Sequence, residues 1–309
     1  WNRINWLSLW IFDNYTIIIS RKLVNSYEVI FLQDLRYLPI AKYAKKNGKY
    51  VLYETLDNNV YLRLHSLQKK IPVLKPFMKI LSNYFIRKEK KLASKYCDSV
   101  IVNSLALKEY FDNKCELIYY TSPLETFNIN NNPEKPTAAL YLGAFTEDKG
   151  ALEILDLQDK LGLKLYIIGS VLSEKIKQII AKSPQIKHIP RVKQSDLGKL
   201  ITSITNRNFL IGLSLIKPVN VSYATQEANK DIDYLALGIP LIGNHRKTTE
   251  EKIIAGCGIF VEDQKRILQL INDINLRHVL SNHCKELYFK NYSYKEFESK
   301  LERILHKFI

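Results

Sequence analysis

The sequence predicts an α/β protein made of two doubly wound, Rossmann-like domains, and three observations predict it. Short, nearly all-apolar runs such as Val29-Ile30-Phe31-Leu32 end in polar residues, as strands covered on both faces of a parallel sheet do. Between such runs lie stretches with helical spacing and helix punctuation, such as residues 38–46 closing at Asn47-Gly48. F-N-I-N-N-N-P-E-K-P at 127–136, with four asparagines and two prolines, interrupts this alternation, which then restarts. The expected division is therefore 1–130, 131–290 and a C-terminal helix at 291–309.

Taken in order, residues 1–26 carry Trp1, Trp6, Trp10 and Ile17-Ile18-Ile19 and are expected to form a helix on a sheet. The first strand, 29–32, ends at Gln33-Asp34, and helix 38–46 follows. The second strand, 50–53, is followed by Glu54 and Asp57. A basic amphipathic stretch leads to the third strand, 99–102. Ser104 then caps a helix reaching Phe111, and 117–119 is the fourth strand. Beyond the linker come strand 139–142, helix 149–161, strand 163–168, helix 173–181, strand 186–189, helix 195–204 and strand 209–213. In N-K-D-I-D-Y-L-A-L-G-I-P-L-I at 229–242, Ile232, Tyr234, Leu235 and Leu237 have the spacing of a helix packed on a sheet. Gly238 stops that helix, and Leu241-Ile242 open a buried strand. Ile259-Phe260-Val261 is a last strand, and 264–309 is helical with a break near Asn291-Tyr292-Ser293.

A chain of 309 residues with 46% hydrophobic and 25% charged residues suits two globular domains of ordinary size. No run approaches the roughly 18 apolar residues of a membrane span. The four cysteines lack C-x-x-C spacing, so reduced thiols and a cytoplasmic location are expected rather than a disulfide framework. The sequence opens on Trp1 without a signal pattern, and a missing N-terminal segment is expected.

The net charge of +15 is concentrated. Between Arg63 and Cys97 lie ten basic residues against one acid, Glu89, interleaved with Val73, Phe77, Ile80 and other apolar residues. Such a cationic amphipathic segment suits an anionic membrane face. A solvated helix covering its own domain is the plain alternative, and nucleic acid, the other anionic partner, is not expected.

Doubly wound sheets bind ligands outside the carboxyl ends of their strands, so polar groups just after strands are the candidates. Gly143 opens G-A-F-T-E-D-K-G, in which a glycine allows close approach and Lys149 adds charge at a helix start, a natural diphosphate site. Gly169 after the next strand is a similar close-approach point. Arg191 and Val192 follow the third strand, where an open backbone edge suits a flat base. Thr225, Asn229 and Lys230 lie at and before the 229–242 helix, with Asp233 inside it as a carboxylate able to hold a ribose diol.

In order and spacing, Y-L-G-A-F-T-E-D-K-G, L-Y-I-I-G, H-I-P-R-V, N-K-D-I-D-Y-L-A-L-G-I-P-L-I-G and A-G-C-G-I-F-V resemble the donor domain of family 4 glycosyltransferases, which have the two-domain GT-B fold. V-I-F-L-Q-D-L-R-Y-L-P-I-A and F-I-R-K-E-K-K-L-A-S-K-Y-C-D-S-V-I-V-N-S are similar to segments of that family's first domain. The resemblance covers about residues 28–290 and is more specific in the second domain. It implies that Lys149 binds the donor diphosphate, with Gly143 and Gly150 shaping its loop. The backbone near Arg191 and Val192 would hold the base, and Asp233, on the second glutamate of the family's E-x7-E motif, the ribose. The helix start at Thr225, Asn229 and Lys230 would face phosphate and sugar. The sequence departs from the family at four positions. Thr225 stands at the first glutamate, Ala144 where an arginine follows the first glycine, Gln33 at one histidine and Leu56 at another.

The implied activity is retaining transfer of a sugar from a UDP-, GDP- or ADP-sugar donor to a glycan or lipid-linked acceptor in surface polysaccharide synthesis. No cofactor or metal is expected, and the basic face would hold the protein at the inner membrane surface. A non-catalytic nucleotide-sugar-binding or partner-binding module on the same fold is the alternative.

Overall fold

The computed structural model describes residues 22–308 apart from 34, 113, 128 and 220. The helix expected at 1–26 lies outside the described residues except for 22–26, which are helical. Packing divides the chain into two units. One takes the chain up to Tyr119 together with Asn220–Gln226 and Ser299–Ile309, the other Tyr120–Val219 and Glu227–Glu298. Each carries its own parallel sheet, of four and six strands, with flanking helices, the two-domain α/β class expected.

In the first unit, β1 (Val29–Leu32), β2 (Tyr50–Thr55), β3 (Ser99–Val102) and β4 (Glu116–Leu117) pair in that order. Helix α1 (Leu38–Lys46) buries Leu38, Ile40, Ala41 and Ala44 and ends where Gly48 turns left-handed, at φ 71°. Helices α2 (Asn59–Lys70) and α3 (Met78–Tyr96) carry the basic segment. In α4 (Leu105–Tyr110) the Leu107 amide donates to Ser104 Oγ at 3.2 Å, the expected cap.

What docks α3 is Glu89, the one acid of the basic segment. It is 2% exposed and accepts hydrogen bonds from Tyr53 on β2 (2.7 Å) and Tyr110 on α4 (2.6 Å). Burying it with two donors satisfies the carboxylate and turns the cationic side of the helix outward.

The second unit contains β5 (Thr137–Leu142), α5 (Ala151–Leu161), β6 (Lys164–Ile168), α6 (Glu174–Lys182), β7 (Ile186–Ile189), α7 (Gln194–Thr205) and β8 (Phe209–Ser214). There follow α8 (Asn229–Ala236), β9 (Leu241–Gly243), α9 (Lys247–Lys252), β10 (Gly258–Phe260), α10 (Gln264–Asn272) and α11 (Ile274–Asn291). The strands lie in the order β10-β9-β8-β5-β6-β7, all parallel. One core, with Ile154, Ile176, Ile267 and Leu280, covers one face, and another, with Leu124, Ile201, Tyr234 and Leu237, covers the other. All six residues of β8 are buried, which explains the unbroken apolar run at 209–213.

The asparagine-rich stretch is anchored in this unit. Asn131 donates to Leu210 O (3.0 Å) and Gly238 O (3.2 Å) and accepts from the Leu210 amide at 2.7 Å. Ile129 is 2% exposed, and Leu124 and Ile129 belong to the second core, so residues from Tyr120 onward pack with the second unit.

Helix α8 is bolted to the middle of the sheet. Tyr234 donates its hydroxyl to Leu140 O at 3.0 Å and accepts from the Leu142 amide at 3.1 Å, both on β5. Its ring fills the space above Gly212, where a Cβ would come within 2.5 Å of it. Gly238, at φ 64°, ends the helix as expected.

Candidate functional site

The strand order of the six-stranded sheet reverses at β5. The chain runs outward through β6 and β7, then returns to place β8 on the other side of β5. The topological switch point therefore lies beyond the carboxyl ends of β5 and β8, where sheets of this type hold ligands. Most of the candidate residues of this unit follow from that one fact.

After β5 the backbone turns at Gly143, φ 107°, which is exposed and has nothing within 4 Å of where a Cβ would stand. This is open space beside a strand end. Gly169 and Gly150 are glycines for another reason. A Cβ at Gly169 would lie 2.0 Å from the Gly143 carbonyl, and one at Gly150 2.0 Å from Leu215 O, so both admit the chain's own backbone. The close approach expected at Gly169 is made by the Gly143 loop itself, whose amide donates to Ile168 O at 2.9 Å.

Lys149 does not open α5, as expected, but ends a separate 3-10 turn, Glu147–Lys149, closed by left-handed Gly150 at φ 81°. The turn is held by a contact from far along the chain. The Asp148 carbonyl accepts the Lys217 amide at 3.1 Å, which ties this turn to the segment after β8.

Lys230 comes from the other side of the switch point, in the first turn of α8. Its Nζ sits 4.0 Å from the centre of the Tyr141 ring on β5, is buried, and has no hydrogen-bond partner. Burial depresses its pKa from 10.5 to about 7, with Asp231 opposing and Arg246 and Lys149 reinforcing the shift. Lys149 is thus near enough to repel it. The N-cap residue Ala228 offers no side-chain acceptor to the helix amides. Two lysines close enough to repel each other and a helix N-terminus without a side-chain cap are features that suit an anionic ligand.

Asp233 lies three residues further along α8. It accepts from Ser122 Oγ at 2.6 Å, and Ser122 in turn caps Leu124 at 3.1 Å. Burial raises its pKa to about 6, against the Ser122 hydrogen bond. Arg191 is exposed on the loop after β7, and Val192 is partly buried against the second core. Asn229 opens α8. Thr225 packs with the first unit, in the five-residue helix Val221–Thr225, where its hydroxyl donates to Val221 O at 2.8 Å. Gln33, at one histidine position of the resemblance, donates to Glu54 at 2.7 Å; Asp34 lies outside the described residues. Burial raises the pKa of Glu54.

Sequence reasoning missed the ionic network beneath the helix start. Arg246 Nη2 is 2.9 Å from Asp231 Oδ2, and Thr249 Oγ1 donates to the same oxygen at 2.8 Å. Lys252 Nζ is 2.6 Å from Glu227 Oε1, and all four charged side chains are at most 1% exposed. Burial pushes Glu227 up, opposed by Lys252. Burial alone would also raise Asp231, but Arg246, Lys252 and Lys230 hold it below its ordinary value. Lys230 and Asp231 are buried along with the apolar residues of α8, so the acid there needs a buried partner. Among the described residues no three His, Cys, Asp or Glu side chains are grouped as metal ligands, and no helix is long and apolar enough to cross a membrane.

No protein-family model and no curated protein matches the sequence. Solved structures do match the fold. HepE of Anabaena, in complex with UDP and glucose, superposes with a TM-score of 0.67 at 13% identity, covering 93% of this chain and 81% of that one. OtsA in its apo form gives 0.65 at 11% identity, over 100% and 78%. A structure described as a UDP-N-acetylglucosamine 2-epimerase from Listeria monocytogenes gives 0.52 at 10% identity, over 95% and 76%. At these identities the likeness establishes the fold, which is GT-B.

Proposed function

We propose that this GT-B chain is a glycosyltransferase that takes a sugar from a nucleotide-diphosphate donor, a UDP-, GDP- or ADP-sugar, and passes it to a glycan or lipid-linked acceptor in surface polysaccharide synthesis. The observation that carries this is the pair Lys149 and Lys230 on either side of the switch point, the second buried with no hydrogen-bond partner. The likeness to HepE, a protein held with UDP and glucose, supports the choice of ligand.

The chemistry follows from the charges. When the bond from the anomeric carbon to the diphosphate oxygen breaks, negative charge grows on the departing diphosphate. Lys149, Lys230 and the uncapped amides of α8 stabilise that charge. The flexible stem of Lys230 lets Nζ leave the Tyr141 ring for a phosphate oxygen at Gly143. Transfer with retention, the base at Arg191 and Val192, the ribose on Asp233 and the phosphate and sugar near Asn229 belong to the same proposal.

One observation favours a second reading, a nucleotide-sugar-binding module without turnover. The hydroxyl of Thr225, at the position of the family's first glutamate, is spent on its own helix. A panel of UDP-, GDP- and ADP-sugars separates the two. At least one should raise the melting temperature by several degrees, and that donor should be hydrolysed slowly without acceptor and faster with a lipid-linked acceptor. Stabilisation without turnover supports the binding module, and no stabilisation by any member contradicts both.

A further inference from the structure

The first unit carries a second surface that the donor site does not use. From the 3-10 turn Pro72–Phe77 into α3, Val73, Phe77, Ile80 and Tyr84 recur every three to four residues and are 75%, 56%, 68% and 51% exposed, with Ile71 beside them at 37%. The same spacing continues through Arg87 and Lys91, both exposed, and exposed Lys75 and Lys79 flank the apolar part. One side of a continuous helical stripe is thus greasy at its start and cationic at its end.

The opposite side is accounted for. Ser82, Glu89 and Ala93 face inward, and Glu89 is consumed by Tyr53 and Tyr110. The only acid of residues 63–97 is therefore withdrawn from the surface. Lys90 is partly neutralised from outside the segment, by Asp112 at 2.9 Å.

We infer that this stripe docks on an anionic lipid bilayer, with Val73, Phe77, Ile80 and Tyr84 entering the headgroup–acyl boundary and Lys75, Lys79, Arg87 and Lys91 against the lipid phosphates. The two halves of the stripe select this occupant. A phosphate backbone matches the lysines but gives four exposed apolar side chains nowhere to go, whereas a bilayer interface accepts both. The inference is independent of the donor-site reading and stands if that reading fails.

Flotation of the full chain with vesicles tests it. The protein should float with phosphatidylcholine vesicles containing phosphatidylglycerol at low salt, not with phosphatidylcholine alone, and should be released at high salt. Lys79→Glu/Arg87→Glu/Lys91→Glu should abolish flotation, since each basic residue near the surface contributes about fivefold. Phe77→Ser/Ile80→Ser should weaken it at least ~10-fold through lost apolar burial. Both positions are exposed, so the serine variant should keep the wild-type melting temperature. No flotation, equal flotation with neutral vesicles, or an unaffected serine variant overturns the inference. So does equal retention of a duplex oligonucleotide by wild type and the serine variant in place of vesicle binding.

Discussion

Lys230→Met should remove the pH dependence of donor binding and weaken binding below neutrality, while raising the melting temperature of the ligand-free protein. The sign follows from where the proton sits. Lys230 titrates near 7 in the folded chain against 10.5 when solvated, mainly because burial disfavours the ammonium. Between those values the unfolded state holds a proton that the native state has lost, so this group's contribution to stability rises with pH across that window. A diphosphate reverses the balance, because it pairs with the ammonium and returns the proton. Binding of UDP-glucose above pH 7 should therefore take up close to one proton and weaken about tenfold per pH unit, roughly a hundredfold from pH 7 to 9. Titration calorimetry in buffers of different ionisation enthalpy measures both quantities. In the methionine variant the slope and the proton uptake should vanish; an unchanged slope would assign the titration to another group.

Arg246→Met should be the most damaging single change to the second unit, costing ~3–5 kcal/mol, because it leaves Asp231 as a buried charge without its guanidinium. The pair is 0% exposed on both sides, so solvent screening does not soften the loss. Asp231 is held below its ordinary 3.8, so its contribution is present above that value and lost as pH falls through the folded pKa. In the variant the carboxyl should instead titrate high, and stability should fall as pH rises above about 4. The double variant Asp231→Leu/Arg246→Met should recover most of the loss, since replacing a whole buried pair by apolar groups is close to neutral. Urea unfolding of the ligand-free protein at several pH values measures this; a single variant within ~1 kcal/mol of wild type would show that the network is not structural.

Much of this architecture is legible along the chain. Helix Leu38–Lys46, strand Val29–Leu32, the Ser104 cap and the Gly238 stop fall where periodicity and punctuation place them, because each is set by neighbours in sequence. The site is legible only in part. Gly143, Lys149 and Lys230 are visible as a glycine turn and two lysines near helix starts, but their convergence depends on strand order, which no local pattern states. Lys149 lands on a 3-10 turn rather than in α5 because of a backbone bond to Lys217, far along the chain. The ion pairs beneath α8 join residues 15 and 25 apart, from two different helices and a loop, and nothing in the spacing of either partner betrays them. Gly169 reads as a ligand approach and proves to be a backbone approach, because the Gly143 loop folds onto it from another strand end.

On the proposed function, Lys149 and Lys230 together hold a diphosphate at the switch point of the six-stranded sheet. The most direct test is the affinity ratio of UDP to uridine at pH 6.5, measured for wild type, Lys149→Ala and Lys230→Met. The ratio should be large in wild type and should fall about tenfold or more in each variant, with uridine affinity unchanged. Equal losses for UDP and uridine, or an unchanged ratio in both variants, would contradict the claim.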